Sequence, residues 1–147
     1  MTSKLCMFSL GVLLLLAGCR TVEPTPDTPW GEPYADVAVP ENYGPYNTPP
    51  FRRDDGADGR RIFGRYAYRS AAGLDKPSRV ADWFKTELPK QGWASQLDEL
   101  DDEKGTMTLR WQKGDDKLVL RLAPDTLFNN SDRFSVLTVE MNPPYGN

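Results

Sequence analysis

The 147-residue sequence has no histidine and only two cysteines, Cys6 and Cys19. The missing histidine excludes Ser-His-Asp and Cys-His catalysis and any zinc site that needs an imidazole ligand. The sequence also contains no glycine-rich phosphate loop, no GxGxxG fingerprint and no GxSxG nucleophile motif. We therefore expect no catalytic residues, no metal site and no cofactor, and we expect that the protein is not an enzyme.

An excess of charge of one sign is also missing. The chain carries 18 basic and 21 acidic residues, for a net charge of −3. Residues 20–59 hold three arginines against eight acidic residues, whereas residues 60–147 are nearly balanced. Without a basic stripe, nucleic acid is excluded as an expected partner.

The longest apolar run lies at the N terminus, from Leu5 to Ala17, after a single basic residue, Lys4. A membrane-spanning helix needs about 20 apolar residues, and this run is shorter. A basic start, an apolar centre and small residues at the end are typical of a secretory signal. An ordinary cleaved signal and an uncleaved anchor remain alternatives to the lipoprotein signal described next.

The segment Leu16-Ala17-Gly18-Cys19 resembles the lipobox of bacterial lipoproteins. The resemblance implies that residues 1–18 are a signal peptide and that the Cys19 thiol carries lipid, with fatty acyl chains such as palmitate anchoring the protein to a membrane. The mature chain would then have neither a free thiol nor a disulfide. The implied location is the bacterial cell envelope, facing the periplasm. Because Arg20 rather than Asp follows the cysteine, the resemblance implies the outer membrane in a Gram-negative organism.

Residues 19–59 follow as the lipidated cysteine and a proline-rich segment, with eight of the thirteen prolines between residues 20 and 51. Proline fixes φ and favours an extended, semi-rigid chain, which indicates a tether. The same segment holds several aromatic residues and the run Asp36-Val37-Ala38-Val39-Pro40, which suits a strap or edge strand along the domain. Both interpretations stay open.

Residues 60–143 have the patterning of a small folded domain, and residues 144–147 form a tail. Val80, Trp83, Phe84 and Leu88 follow one face of an amphipathic helix that ends at Pro89 and Gly92. Period-2 alternation predicts strands elsewhere in the domain. These strand segments are 62–69, 93–100, 107–112, 118–123 and 134–141.

Taken as the order β-α-β-β-β, these elements predict an α+β fold. One amphipathic helix packs on one face of a mainly antiparallel four-stranded sheet. Four large aromatic residues, Trp83, Phe84, Trp93 and Trp111, are the expected core, with a ligand-binding role as the alternative.

The mature part resembles a family of small, uncharacterised bacterial envelope lipoproteins. The resemblance rests on Val37-Ala38-Val39-Pro40, Tyr66, the Val80…Trp83-Phe84…Leu88-Pro89…Gly92-Trp93 segment, Leu109-Arg110-Trp111 and the closing 139–143 strand. These motifs are core and turn positions, so the resemblance implies a fold and a location but no active site.

Two groups of charged residues are candidate sites. Strand alternation places four arginines away from the helix, as a candidate face for an anionic polymer, lipid headgroups or an acidic partner: Arg65, Arg69, Arg110 and Arg121. The alternative is an ordinary solvated sheet face. The acidic run from Asp98 to Glu103 predicts a solvated hairpin tip; its alternative is a carboxylate-based hydrolase.

The expected function is a membrane-anchored envelope lipoprotein that acts as a non-enzymatic interaction or structural module. Its expected partners are the membrane, through the lipid on Cys19, and an envelope protein or anionic polymer. The alternative is an accessory subunit of an envelope transport or assembly complex.

Overall fold

The computed structural model describes residues 34–46, 51–53, 63–127 and 133–144, with only the backbone of 51–53. The predicted signal peptide 1–18, the lipid-bearing Cys19, the N-terminal part of the proline-rich segment and residues 145–147 lie outside the described residues. The first three residues of the predicted 60–143 domain that precede Phe63 lie outside them as well.

Seven strands and one α-helix make up the described fold. The helix α1 spans Pro77–Glu87 and continues into a 3-10 helix, Leu88–Gln91. The strands in chain order are β1 Tyr43–Pro45, β2 Phe51–Arg53, β3 Phe63–Ser70, β4 Ala94–Asp101, β5 Thr106–Lys113, β6 Asp116–Pro124 and β7 Ser135–Met141.

The strands form one antiparallel sheet in the order β1-β3-β7-β6-β5-β4. β1 and β2 share one edge position, because β1 pairs with the end of β3 and β2 pairs with its beginning. The sheet is therefore six strands wide.

The predicted four-stranded sheet was wrong. The order β-α-β-β-β left out one of the five strand segments in 63–141, which become β3 to β7. The edge position filled by β1 and β2 comes from the proline-rich segment, where proline content favoured a tether. Proline is tolerated on edge strands because their outer N–H groups need no partner, and Pro45 ends β1 at this edge.

The helix begins and ends close to the predicted signals. Pro77 occupies its first turn, where a missing N–H costs nothing. Gly92 follows the 3-10 turn with φ of +86°, a left-handed conformation that suits glycine, and its N–H reaches the carbonyl of Pro89. The helix buries Val80, Ala81 and Phe84 against the sheet.

Residues 34–46, which we call the strap, start on the helix side of the sheet and end at its edge, where Tyr43–Pro45 form β1. Tyr34, Val37 and Tyr43 belong to the buried core. The indole Nε1 of Trp93 donates to the carbonyl of Asp36 at 2.8 Å, and Lys113 Nζ lies 2.7 Å from the Asp36 carboxylate. This part of the proline-rich segment thus belongs to the folded unit.

Whereas β4 at the edge contributes no buried residue, alternate residues of β3, β5, β6 and β7 complete the core from the sheet side. Most of them are fully buried beneath the helix and the strap: Leu109, Leu118, Leu120, Leu122, Leu137, Val139 and Met141. Of the four aromatic residues expected in the core, Phe84, Trp93 and Trp111 are buried, and Trp83 is half-buried against Phe84. The intervening strand residues point to the opposite side, which we call the open face.

Candidate anion-binding face

The open face is defined by strand register. Arg65 pairs with Glu140, Arg121 pairs with Thr138, and Arg110 pairs with Val119, so positions of equal parity share one side. All four arginines singled out from the sequence lie on this face. Its described positions are Arg65, Ala67, Arg69, Ala94, Leu97, Glu99, Asp101, Thr106, Thr108, Arg110, Gln112, Lys117, Val119, Arg121, Ala123, Val136, Thr138 and Glu140.

Two of the four arginines share one carboxylate. Glu140 lies between Arg65, whose Nε is 3.6 Å from Oε1, and Arg121, whose Nε is 3.4 Å from Oε2. The arginine side chains are 59% and 49% exposed, whereas that of Glu140 is 16% exposed. Exposed ion pairs of this kind contribute about 0–1 kcal/mol, and one carboxylate cannot neutralise two guanidinium groups. A positive charge therefore remains available to solvent at the β3-β7-β6 part of the face.

The Arg69 side chain is instead packed against other side chains of the fold. Its guanidinium carbon lies 5.1 Å from the Tyr46 ring centre and 4.6 Å from that of Phe134, with Nη1 3.8 Å from the buried Asp125 carboxylate. The Tyr46 hydroxyl donates to Asp125 at 2.8 Å. Burial, reinforced by the neighbouring Asp125 carboxylate, raises the pKa of Tyr46. Arg69 therefore compensates a buried carboxylate and serves chiefly the end of the strap.

Arg110 occupies a third kind of environment. Its Nε is buried and meets no hydrogen-bond acceptor among the described residues. It lines a cavity of about 210 Å³ together with Gln112, Lys117 and Val119, and with Gln96 and Pro143 at the margin. The face thus combines an exposed arginine pair, a structural arginine and an arginine in a cavity.

The acidic run from Asp98 to Glu103 has structural partners. Lys85 on α1 lies 2.7 Å from Asp98, and Lys104 lies 2.9 Å from Asp101. The Lys104 side chain lowers the pKa of Asp101 by hydrogen bonding. These carboxylates are ion-paired at the surface, which is not the desolvated environment that raises the pKa of a general acid.

Asp102 has a role that sequence patterning did not indicate. It accepts hydrogen bonds from the Ser78 backbone N–H at 2.8 Å and from the Ser78 hydroxyl at 2.6 Å. The residue before the helix, Lys76, provides no side-chain cap, so the turn between β4 and β5 caps α1 from 24 residues away. The Ser78 hydroxyl and backbone lower the pKa of Asp102.

Within the described ranges, no three His, Cys, Asp or Glu side chains gather closely enough to hold a metal ion. The same part of the chain has no helix with the length and apolarity required to cross a membrane.

Comparison with known proteins gives one match. A family model described as START domain-like matches residues 70–133, from the last residue of β3 to the loop before β7. Domains of this kind are generally non-enzymatic modules that bind ligands. No curated protein and no solved structure matches the chain.

Proposed function

We propose that this protein is a lipid-anchored component of the bacterial envelope, with a non-enzymatic domain that binds an anionic envelope component through its open face. The Leu16–Cys19 segment supports the anchor, since it resembles a lipobox. The START domain-like match supports a ligand-binding domain over a catalytic one.

The observation that carries the proposal is the charge of the open face. Its cations are Arg65, Arg69, Arg110, Lys117 and Arg121, and its described carboxylates are Glu99, Asp101 and Glu140, with Asp125 beside Arg69. The chain as a whole is acidic, with a net charge of −3, whereas this face carries more cations than carboxylates. A positive patch on an acidic protein attracts anionic surfaces selectively and keeps the rest of the molecule away from them.

The strap limits how far the face can stand from the membrane. The described fold extends back to Tyr34, so at most residues 19–33 separate it from the proposed lipid on Cys19. Fifteen residues span at most about 50 Å even when fully extended. The ligand therefore belongs to the membrane surface or to the layer directly next to it.

The anchor is tested by Cys19→Ser. The variant is expected to remain unprocessed or to leave the membrane fraction, because the thiol is the proposed lipid acceptor. Recovery of the variant in the membrane fraction with a normally processed N terminus would contradict the lipoprotein proposal.

The face is tested by co-sedimentation of the purified full chain with isolated cell-wall material and with vesicles that do or do not contain anionic lipid. Binding to an anionic fraction is expected and should weaken as salt rises, because charges are screened beyond about 8 Å at physiological ionic strength. Arg65→Gln with Arg121→Gln should reduce this binding. The matched control is Lys85→Gln with Lys90→Gln, which removes the same charge from the helix.

Equal loss of binding in both double variants would show that net charge, and not the open face, is responsible. Cross-linking in intact cells that captures one stoichiometric protein partner, with no binding to cell-wall or lipid fractions, would instead support the accessory-subunit alternative.

A further inference from the structure

Arg110 has an unsatisfied hydrogen-bond donor that the folded chain does not explain. Its Nε is buried and no described residue offers it an acceptor, whereas Nε of Arg65 and Arg121 each lies beside Glu140. The strand neighbours of Arg110 are Leu97 and Val119, which have no polar side-chain atoms. A buried donor without an acceptor costs free energy. Because Nε is closed to solvent in this structure, a ligand that supplies the acceptor recovers that free energy only when the Arg110 side chain turns toward the cavity.

The cavity beside Arg110 is built by two local irregularities. The β4-β5 register shifts between Ser95 and Leu97, so Gln96 is an extra, unpaired residue that bends β4 at this point. On the other side, Asn142 adopts a φ of +48°, and its backbone N–H donates to the Lys117 carbonyl at 2.7 Å. This turn brings Pro143 to the cavity wall. Bulges of this kind commonly occur beside binding sites.

The polar groups of the cavity have a definite chemical character. Arg110 and Lys117 supply two positive charges, and Gln96 and Gln112 supply amides that both donate and accept. Val119 and Pro143 supply apolar surface. Among the described residues that line the cavity there is no carboxylate to neutralise its charge.

We propose that this cavity binds the carboxylate of a peptide-like ligand, with Arg110 holding the carboxylate and the two glutamines holding neighbouring amide groups. This inference rests on the proposed function, because it names the ligand chemistry of the open face. An arginine presents two parallel N–H groups, through Nε and one Nη, that match the two oxygens of a carboxylate. The volume of about 210 Å³ is below the range of about 300–1,000 Å³ typical of pockets that enclose a whole drug-sized molecule. It therefore suits the end of a chain.

Carboxylate is favoured over phosphate by the shape of the site and not by its charge, because two cations would also suit a dianion. One guanidinium matches the two oxygens of a planar carboxylate, and the flanking amides match a peptide group better than a second phosphoryl oxygen. Phosphate binding becomes the competing outcome of the test.

The experiment observes the Arg110 Nε–Hε resonance by ¹⁵N NMR in the full chain, solubilised in neutral detergent. The probes are N-acetylglycine, its uncharged analogue N-acetylglycinamide, and inorganic phosphate. N-acetylglycine is expected to shift the Arg110 resonance and the backbone amides of Gln112 and Lys117, whereas N-acetylglycinamide is expected to leave them unchanged. Equal shifts with the amide analogue, or tighter binding of phosphate, would overturn the proposal.

Arg110→Lys keeps the charge and removes the two-pronged donor, so affinity for N-acetylglycine should fall about tenfold. Arg79→Lys, on α1 and away from the open face, should bind N-acetylglycine as the parent does. If Arg110→Lys fails to fold, as judged by its amide spectrum, Lys117→Gln replaces it and should also weaken binding. Unchanged affinity in a folded Arg110→Lys protein would refute the site.

The two proposals fail separately. Retained, salt-sensitive binding to anionic cell-wall or lipid fractions with an unresponsive Arg110 resonance would overturn the carboxylate site alone. Loss of all binding to those fractions would overturn the proposed function, whatever N-acetylglycine does.

Discussion

Trp93 joins the strap to the sheet in two ways, and two substitutions separate them. Its ring is only 3% exposed and belongs to the core. Its Nε1 donates to the carbonyl of Asp36 in a buried hydrogen bond of 2.8 Å. Lys113 reinforces the contact, with Nζ 5.9 Å from the Trp93 ring centre and 2.7 Å from the Asp36 carboxylate.

Trp93→Ala removes both the packing and the hydrogen bond, and it should lower the free energy of unfolding by about 3–5 kcal/mol. Trp93→Phe keeps most of the apolar surface and removes the donor to the Asp36 carbonyl, which should cost about 1–3 kcal/mol. Trp83→Ala is the control, because Trp83 is half-buried and should cost less than Trp93→Ala.

Urea denaturation followed by circular dichroism measures these differences, and hydrogen exchange at residues 34–46 shows where they act. Faster exchange in the strap is expected for Trp93→Phe, because its hydrogen bond reaches across 57 residues to hold that segment. A loss below about 0.5 kcal/mol for Trp93→Ala, which is the range of ordinary surface substitutions, would refute a core role. Unchanged strap exchange in Trp93→Phe would refute the hydrogen-bond argument.

Three further substitutions test contacts between distant parts of the chain. Gly64→Ala should lower the melting temperature, because a Cβ at this position overlaps the Tyr34 hydroxyl, and adding Tyr34→Phe should restore part of the loss. Tyr46→Phe should cost about 1.5–3 kcal/mol in urea denaturation, since the buried Asp125 carboxylate loses its hydroxyl donor. Asp102→Ala should lower the melting temperature at pH 6 by removing the cap of α1. The pKa of Asp102 is lowered in the fold, so its stabilisation is present above the usual Asp value of about 3.9 and is lost as pH falls through the folded pKa. Melting curves of parent and variant should therefore converge near pH 2, and a constant difference would contradict the charged cap.

The local features of the domain follow from the order of its amino acids alone. The helix lies where its apolar spacing predicts. Pro77 is tolerated in the first turn of a helix at little energetic cost, and Gly92 can adopt the left-handed conformation that ends the helix. Strand alternation also determined that the four arginines share one face, because the side-chain period of a strand is two whatever its neighbours are. These features depend on interactions within a few residues.

The number of strands and the environment of each arginine depend on tertiary structure. The proline content of residues 34–46 predicts a stiff chain. Whether that chain is exposed to solvent or pairs with β3 depends on the free edge of the sheet, which residues distant in sequence form. The environments of Arg65, Arg69 and Arg110 likewise differ because Glu140, Asp125 and the β4 bulge arrive from other strands and loops.

The helix cap shows the same division. Asp102 lies in an acidic run that predicts a solvated hairpin tip, and it does lie at the surface beside the β4-β5 turn. Its contact with Ser78 exists only because β4 and β5 pack under α1 and bring their turn to the first turn of the helix. Periodicity reports which side of an element is buried, but the partner of a polar side chain depends on distances that only the folded chain establishes.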